Sequence, residues 1–265
     1  MPERAEVQTY TDQLNEKFKG KTLTAVNIVG GKFATKNDTQ LAAVKFPLHN
    51  IEFNAKGKFL YWTFDEDISF FISLAMTGAF GIKDKHSTLE FVFEDDEKIY
   101  FNDPRHFATF KAVVGKDKLT EKLATLGWDP LVEKEMPEKM LKLLKKRSHK
   151  TIAEVLLEQK IFAGVGNYIR SEAMYRAGIL PTRLVSSLSD DKIKELTGHI
   201  VDVIDEAYKH GGATLATYKD MNGLEGTFYK KFKVYSKKTD PDGNPVIKIK
   251  AADGRSVFYV ESIQV

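Results

Sequence analysis

Residues 58–74 read KFLYWTFDEDISFFISL, in which two apolar runs rich in aromatic residues flank the acidic break at residues 65–67. Runs of this length bounded by turn residues are typical of β-strands. Further runs of the same kind occupy residues 22–29, 88–93, 99–101 and 109–114. Their lengths and turn-rich breaks predict an antiparallel β-sandwich for the first part of the chain.

Helical periodicity appears at the amino terminus and again after Gly115. Apolar residues at helical spacing predict a short first helix that ends at Gly20, with Pro2 just ahead of it. The change of pattern after Gly115 predicts a domain boundary there. The later helices are predicted in residues 119–126, 136–144, 151–159, 167–177 and 189–208.

Strand-like patterns return from Tyr218 and end in two short runs, residues 246–250 and 257–260. Asp253-Gly254 between these runs is a hairpin signal, and Arg255 follows the turn immediately. We therefore predict an α+β protein. Its predicted domains are a β-sandwich at residues 1–115, a helical domain at 116–217 and a C-terminal hairpin segment at 218–265.

Composition excludes several classes of protein. The 265 residues include no cysteine, which rules out disulfides, thiol nucleophiles and thiolate-ligated zinc. The six histidines lack the close spacing of metal ligands, so we expect neither a metal nor a cofactor. No apolar run approaches the roughly 20 residues that cross a bilayer, and the first residues lack the apolar core of a secretory signal. We expect an intracellular globular protein with no membrane partner.

The distribution of charge favours a polyanionic partner. The formal net charge is only +3, yet residues 229–255 contain eight basic and three acidic residues. A second basic run, residues 145–150, lies just ahead of a helical pattern. Either run alone would be typical of solvated surface. Two such runs flanking one domain favour nucleic acid.

The amino terminus, Met-Pro-Glu-Arg-Ala-Glu-Val, contains a candidate nucleophile. Removal of Met1 would expose the secondary amine of Pro2, and an α-amino group of pKa about 8 is partly uncharged at neutral pH. Such an amine can attack a sugar C1′ and form an iminium. Glu3 and Glu6 could then act as an acid/base pair. The alternative is that these carboxylates only cap the first helical turn.

Four motifs in order along the chain resemble those of the Fpg/Nei family of DNA glycosylases (formamidopyrimidine-DNA glycosylase and endonuclease VIII). They are the amino terminus, Gly57-Lys58 before a strand, residues 102–107 (NDPRHF) and residues 164–168 (GVGNY). The resemblance runs from end to end. It implies an N-terminal β-sandwich, a helix-two-turn-helix domain and a C-terminal β-hairpin finger. Residues 210–215 and 223–228 resemble the family's helix-end and lesion-capping loop.

The resemblance implies a role for each matching residue. Pro2 would be the Schiff-base nucleophile, Glu3 the general acid and Glu6 an organiser of the site, while Lys58 matches a phosphate-binding lysine. Met76, Arg105 and Phe107 match the residues that fill the space left by an everted base. Without the family pattern, Met76 and Phe107 would be read as core residues. The matches to phosphate-binding groups are Asn167, at a helix start, and Arg255, on the finger.

The finger departs from the usual family pattern, because the zinc-binding cysteines are missing. Val260 and Ile263 stand where the second pair would be, and residues 240–244 replace the first. This resembles the zincless fingers of some eukaryotic and giant-virus Nei-type enzymes. The hairpin would then be held by strand pairing and by packing of four side chains. These are Ile247, Ile249, Phe258 and Tyr259.

These implications predict a monomeric, bifunctional DNA glycosylase and abasic-site lyase that removes oxidised bases by β,δ-elimination. The alternative is a non-catalytic damaged-DNA-binding protein on the same scaffold, which would not need an amine beside two carboxylates. The sequence leaves open oxidised pyrimidines, hydantoins and 8-oxoguanine as lesions. It equally leaves open double-stranded, single-stranded or bubble DNA as the partner.

Overall fold

The computed structural model describes residues 1–35 and 39–265, which divide into two compact units. The first contains residues 1–125 and 211–226, and the second contains residues 126–210 and 227–265. This grouping differs from the three predicted domains, chiefly because residues 211–226 pack with the amino-terminal segment. The Tyr10 hydroxyl donates a hydrogen bond to the carbonyl of Lys219, and the Ala213 amide donates to Glu6.

The first unit confirms the antiparallel β-sandwich and the opening helix. Helix α1 (Arg4–Phe18) precedes two four-stranded antiparallel sheets, ordered β1-β6-β7-β5 and β2-β3-β4-β8. A further helix, α2 (Lys116–Ala124), follows the last of these strands. The strands are β1 (Leu23–Ile28), β2 (Glu52–Lys56), β3 (Phe59–Thr63), β4 (Ile68–Ser73), β5 (Ala79–Gly81), β6 (Ser87–Phe93), β7 (Lys98–Asn102) and β8 (Thr109–Val114).

Side-chain alternation places the core between the sheets. In β3, Leu60 and Trp62 are fully buried, whereas the alternate residues Phe59, Tyr61 and Thr63 are partly exposed. The Trp62 ring lies 4.8 Å from the Phe53 ring and 4.6 Å from the Phe91 ring, measured between centroids, so it joins strands of both sheets. Strands β2 and β5 were not predicted. Strand β2 is defined by its pairing with β3, and the three-residue β5 by its pairing with β7.

The second unit contains four helices and a two-stranded hairpin. The helices are α3 (Glu138–Lys145), α4 (Ile152–Val155), α5 (Asn167–Arg176) and α6 (Asp190–Lys209), and the hairpin strands are β9 (Ile247–Lys250) and β10 (Ser256–Tyr259). The helix predicted at residues 151–159 is much shorter. Its first turn is closed by a capping box between Thr151 and Glu154, after which the backbone continues as successive turns up to α5.

The prediction of strands from Tyr218 onward is wrong for residues 218–246, all of which are described: they form loops, a 3₁₀ turn at Phe228–Lys231 and an isolated β-bridge between Thr239 and Pro245. For residues 233–235 the physical reason is a buried carboxylate. Glu172 in α5 accepts hydrogen bonds from the backbone amides of residues 233, 234 and 235, at 2.8 to 3.0 Å. Because one side chain satisfies three successive amides, this segment needs no neighbouring strand.

Packing of the hairpin differs in part from the prediction. Val257, Phe258 and Val260 are its buried residues, whereas Ile247, Ile249 and Tyr259 are only partly buried. Phe258 and Val260 pack with Tyr175 of α5 and with Val234. No helix within the described residues is long and apolar enough to span a membrane.

Candidate active site

A cavity of about 200 Å³ in the first unit surrounds the amino terminus. Pro2 is buried in its wall, while Met1 stays exposed. The opposite walls carry Met76, Arg105 and residues 215–218. The structure therefore brings the predicted nucleophile, Pro2, together with Met76 and Arg105, two of the three residues predicted to fill the space left by an everted base.

The cavity changes the acidity of an amine at the chain start. Burial is the main cause that lowers the pKa of the terminal amine carried by Met1. Glu3 and Glu6 act in the opposite sense, and the positive charges of Lys58 and Arg105 add to the lowering of the pKa. A larger fraction of the amine is therefore uncharged at neutral pH than in an unfolded chain.

Glu3 and Glu6 are both buried and belong to one hydrogen-bonded turn. The Glu3 amide donates to Glu6 Oε2 at 2.7 Å, and Glu3 is the N-cap residue of α1. Helix capping, the alternative considered from the sequence, is therefore part of what Glu6 does. Its second oxygen, Oε1, accepts a hydrogen bond from the Ala213 amide at 2.7 Å. Glu6 thus joins the start of α1 to the loop formed by residues 211–226.

Glycine is required where this loop meets Glu6. Gly212 has a φ of +87°, and a Cβ there would lie 2.7 Å from Glu6 Cγ and Oε1. A Cβ on Gly226 would lie 2.4 Å from the carbonyl oxygen of Gly212. Both positions therefore exclude other residues, by backbone conformation at Gly212 and by close packing at both.

Lys58 occupies the two-residue turn between β2 and β3, where Lys56 pairs with Phe59. Gly57, the first turn residue, has a φ of +61°, which suits a hairpin turn with glycine first. The Lys58 side chain is partly buried, and its charge acts on the terminal amine. Lys58, which was placed before a strand from the sequence, is therefore a turn residue whose charge acts on the amino terminus.

Met76, Arg105 and Phe107 lie on loops and not in the core. Met76 is 43% exposed and Phe107 is 53% exposed, which excludes ordinary core packing for both. The Arg105 guanidinium lies over the Phe107 ring, with its central carbon 4.7 Å from the ring centroid. Exposed apolar side chains beside a cation suit insertion between stacked bases.

Asp103, which the sequence did not single out, connects the two loops that carry these residues. It is 1% exposed; its Oδ1 accepts from the Thr77 hydroxyl at 2.7 Å, and its Oδ2 accepts from the Ala108 amide at 2.7 Å. One carboxylate thus fixes the loop after β4 and the loop after β7. The sequence signal that could have identified Asp103 is its position directly before Pro104, within the motif at residues 102–107.

The second unit contains the remaining two predicted site residues. Asn167 is the first residue of α5, and its Oδ1 accepts a hydrogen bond from Arg170 Nε at 2.9 Å. Arg255 is exposed at the hairpin tip, where its carbonyl accepts from the Ala251 amide. The turn therefore extends from Ala251 to Arg255 and is longer than the Asp253-Gly254 turn that was predicted. The functional roles of both residues stay predictions.

The region that replaces the first zinc-binding pair is organised by a carboxylate. Asp240 accepts hydrogen bonds from the backbone amides of Asp242 and Asn244 and from the Asn244 side chain, at 2.8 to 3.0 Å. The hydroxyl of Tyr175 also donates to Asp240, at 3.0 Å. Within the described residues, no group of three or more histidine or carboxylate side chains is arranged to hold a metal.

Comparison with known proteins covers nearly the whole chain. The models for the formamidopyrimidine-DNA glycosylase N-terminal domain and H2TH domain match residues 1–110 and 126–219. The formamidopyrimidine-DNA glycosylases of Wolbachia pipientis wMel and Cytobacillus firmus are 30% and 31% identical, each over the full length of both chains.

Solved structures show the same fold. The MutM (Fpg) protein of Thermus thermophilus has a TM-score of 0.87 and 30% identity, covering 99% of this chain and 98% of that one. The Lactococcus lactis enzyme, non-covalently bound to DNA that contains an AP site, has a TM-score of 0.84 and 25% identity, covering 99% of both chains. The chain therefore belongs to the formamidopyrimidine-DNA glycosylase family of DNA repair enzymes.

Proposed function

We propose that this chain is a bifunctional DNA glycosylase and abasic-site lyase that uses the amine of Pro2, exposed by removal of Met1, as its nucleophile. The observation that carries the proposal is the cavity around the amino terminus. There the pKa of a terminal amine is lowered by burial, and two buried carboxylates, Glu3 and Glu6, lie beside the amine.

The proposed first stage exchanges one bond at C1′ for another. The Pro2 nitrogen attacks C1′, the bond from C1′ to the damaged base breaks, and the base leaves with the proton that the Pro2 nitrogen loses. Glu3 protonates the ring oxygen O4′ as the sugar opens, which leaves an iminium between Pro2 and C1′. Lys58 and Arg105 favour this stage because their charges lower the pKa of the terminal amine.

The proposed second stage cuts the strand. The iminium withdraws electrons from the sugar, so a proton is lost from C2′ and the bond to the 3′ phosphate breaks. A second elimination releases the 5′ phosphate, and water then hydrolyses the remaining iminium to free Pro2. No metal or redox partner is needed to balance these steps.

Damaged DNA is the proposed partner. One related structure holds an AP site, and another is a complex with DNA that contains Fapy-dG. Together with the names of the curated relatives, these complexes support oxidised and ring-opened purines as a substrate class. Base eversion would be assisted by Met76, Arg105 and Phe107, while Asn167 and Arg255 would bind backbone phosphates.

The alternative function is damaged-DNA binding without catalysis. Binding alone would not require an amine beside two carboxylates, and the two carboxylates raise the electrostatic cost of binding phosphate nearby. The amino-terminal cavity therefore favours the enzyme.

Borohydride trapping tests the proposal. Reduction of the iminium should link the processed protein covalently to DNA that contains an abasic site, and peptide mapping should find the link on Pro2. The matched control is the same chain with an amino-terminal extension that is not removed, which should give no trapped product. Equal trapping by the extended chain would overturn Pro2 as the nucleophile.

A further inference from the structure

The guanidinium of Arg170 in α5 is completely buried and makes contacts in three directions. Its Nε donates to Asn167 Oδ1 at 2.9 Å, and its Nη1 donates to the Ala153 carbonyl at 2.8 Å. Nη1 also lies 2.9 Å from Asp253 Oδ2 at the hairpin tip. One side chain therefore reaches the start of α5, helix α4 and the turn of the finger.

The first contact determines which way the Asn167 amide faces. A guanidinium can only donate, so the atom of Asn167 that faces it must be the oxygen. The Asn167 nitrogen is then directed away from Arg170 and lies 3.5 Å from the Tyr235 hydroxyl, a distance at the outer limit of a hydrogen bond. Arg170 thus leaves the amide nitrogen of Asn167 facing away from the guanidinium. An anionic oxygen could accept a hydrogen bond from this nitrogen.

The contact with Asp253 fixes the segment that carries Arg255. Asp253 is one-fifth exposed, and while its Oδ2 meets Arg170, its Oδ1 accepts from the Arg255 backbone amide at 2.8 Å. The Asp253 carboxylate therefore serves two donors at once. This anchors the backbone of Arg255 and leaves its side chain exposed.

We propose that Arg170 and Asp253 are positioning residues that align Asn167 and Arg255 as a single phosphate clamp. This inference rests on the proposed function, in which those two residues bind the DNA backbone. The ion pair between buried Arg170 and Asp253 holds the turn of a finger that has no cysteine, and it connects this turn to α5.

Simple electrostatics predicts the opposite effect for one substitution. Removing the negative charge of Asp253 should strengthen binding to a polyanion if Asp253 acts only as a charge. If it is a positioning residue, Asp253→Asn should weaken binding. The two donors face different oxygens of Asp253, and an amide would place an NH2 group, which cannot accept, against one of them.

The experiment measures the dissociation constant for a duplex that contains a tetrahydrofuran abasic site. Asp253→Asn should weaken binding by roughly three- to tenfold, the scale of one hydrogen bond. The rate of borohydride trapping at saturating protein should change less than about twofold, since the amine is not involved. The matched control is Glu206→Gln, which removes the same charge from another arginine pair, that of Arg176 at the end of α5. It should leave affinity unchanged or slightly higher.

A double-mutant cycle separates this inference from the proposed function. In an Arg255→Ala background, Asp253→Asn should change affinity by less than about twofold, because its effect acts through Arg255. Additive effects, or tighter binding by Asp253→Asn, would overturn the positioning role. If Asn167→Ala and Arg255→Ala themselves left affinity unchanged, the proposed phosphate contacts would be wrong. Thermal unfolding of each variant identifies any loss that comes from misfolding.

Discussion

Thr77 and Asp103 form a hydrogen bond of 2.7 Å that joins the loop carrying Met76 to the loop carrying Arg105 and Phe107. Asp103 is buried and also binds the Ala108 amide, so the two loops have a fixed spacing before any DNA is present. In the proposed function Met76, Arg105 and Phe107 enter the duplex together, and such preorganisation would reduce the conformational freedom lost on binding.

Replacement of Thr77 by valine should reduce lesion excision from duplex DNA. Valine keeps the shape of threonine but leaves one oxygen of Asp103 without this donor, which costs about 1–3 kcal/mol of stability for a buried group. Single-turnover excision from duplex should fall more than trapping on a single-stranded abasic oligonucleotide. In a single strand there is no base stack in which side chains must fill the space of an everted base. An equal fall on both substrates would show that the bond acts only on general stability.

Replacement of Glu3 by glutamine should abolish base excision and retain DNA binding. Glutamine preserves the size of the buried side chain and removes both the proton donor and a negative charge. Excision and affinity are measured on the same lesion duplex. Wild-type excision by this variant would contradict the role of Glu3 as general acid.

The pH profile of trapping should report the terminal amine. Because burial and the charges of Lys58 and Arg105 lower its pKa, the rate should rise with pH along a limb whose midpoint lies below the ordinary α-amino value of about 8. Lys58→Met removes one positive charge and should move this limb to higher pH. Lys56→Met, in the same hairpin, should leave its midpoint unchanged, and an unshifted limb in Lys58→Met would refute the coupling.

The bond from Tyr175 to Asp240 should make stability sensitive to alkaline pH. Burial is the main cause that raises the pKa of Tyr175 to about 12, and Asp240 adds to it. A raised pKa contributes stability that is complete below the ordinary value of about 10 and is lost as pH rises toward the folded-state value. Tyr175→Phe should lower the free energy of unfolding by about 1 kcal/mol at pH 7. The difference in free energy of unfolding between Tyr175→Phe and wild type should shrink between pH 10 and about 12. If that difference stayed constant with pH, the bond from Tyr175 to Asp240 would not be the source of the lost stability.

Chelation should leave both activity and melting temperature unchanged. The chain has no cysteine, and polar contacts of Asp240 and Asp253 join the finger region to α5. The measurement is excision and thermal unfolding before and after treatment with a strong zinc chelator. Stoichiometric zinc in the purified protein, with activity lost on its removal, would overturn the expectation.

Local patterns determined most of the regular structure. Alternation in residues 58–74 predicts β3 and β4, and apolar spacing in residues 189–208 predicts α6, because each signal depends only on neighbours along the chain. The sequence also placed Pro2, Glu3 and Glu6 together, since they are adjacent in it. The hairpin of β9 and β10 followed in the same way, apart from the length of its turn.

Tertiary structure alone decided which distant groups satisfy buried charges. Glu6 meets the Ala213 amide across 207 residues, and Arg170 meets Asp253 across 83. Glu172 binds three amides about 60 residues away, so residues 233–235 form a loop although their composition favours a strand. Periodicity does not encode such pairings. A buried carboxylate or guanidinium needs a partner, but the partner is whichever group the packed core brings within hydrogen-bonding distance.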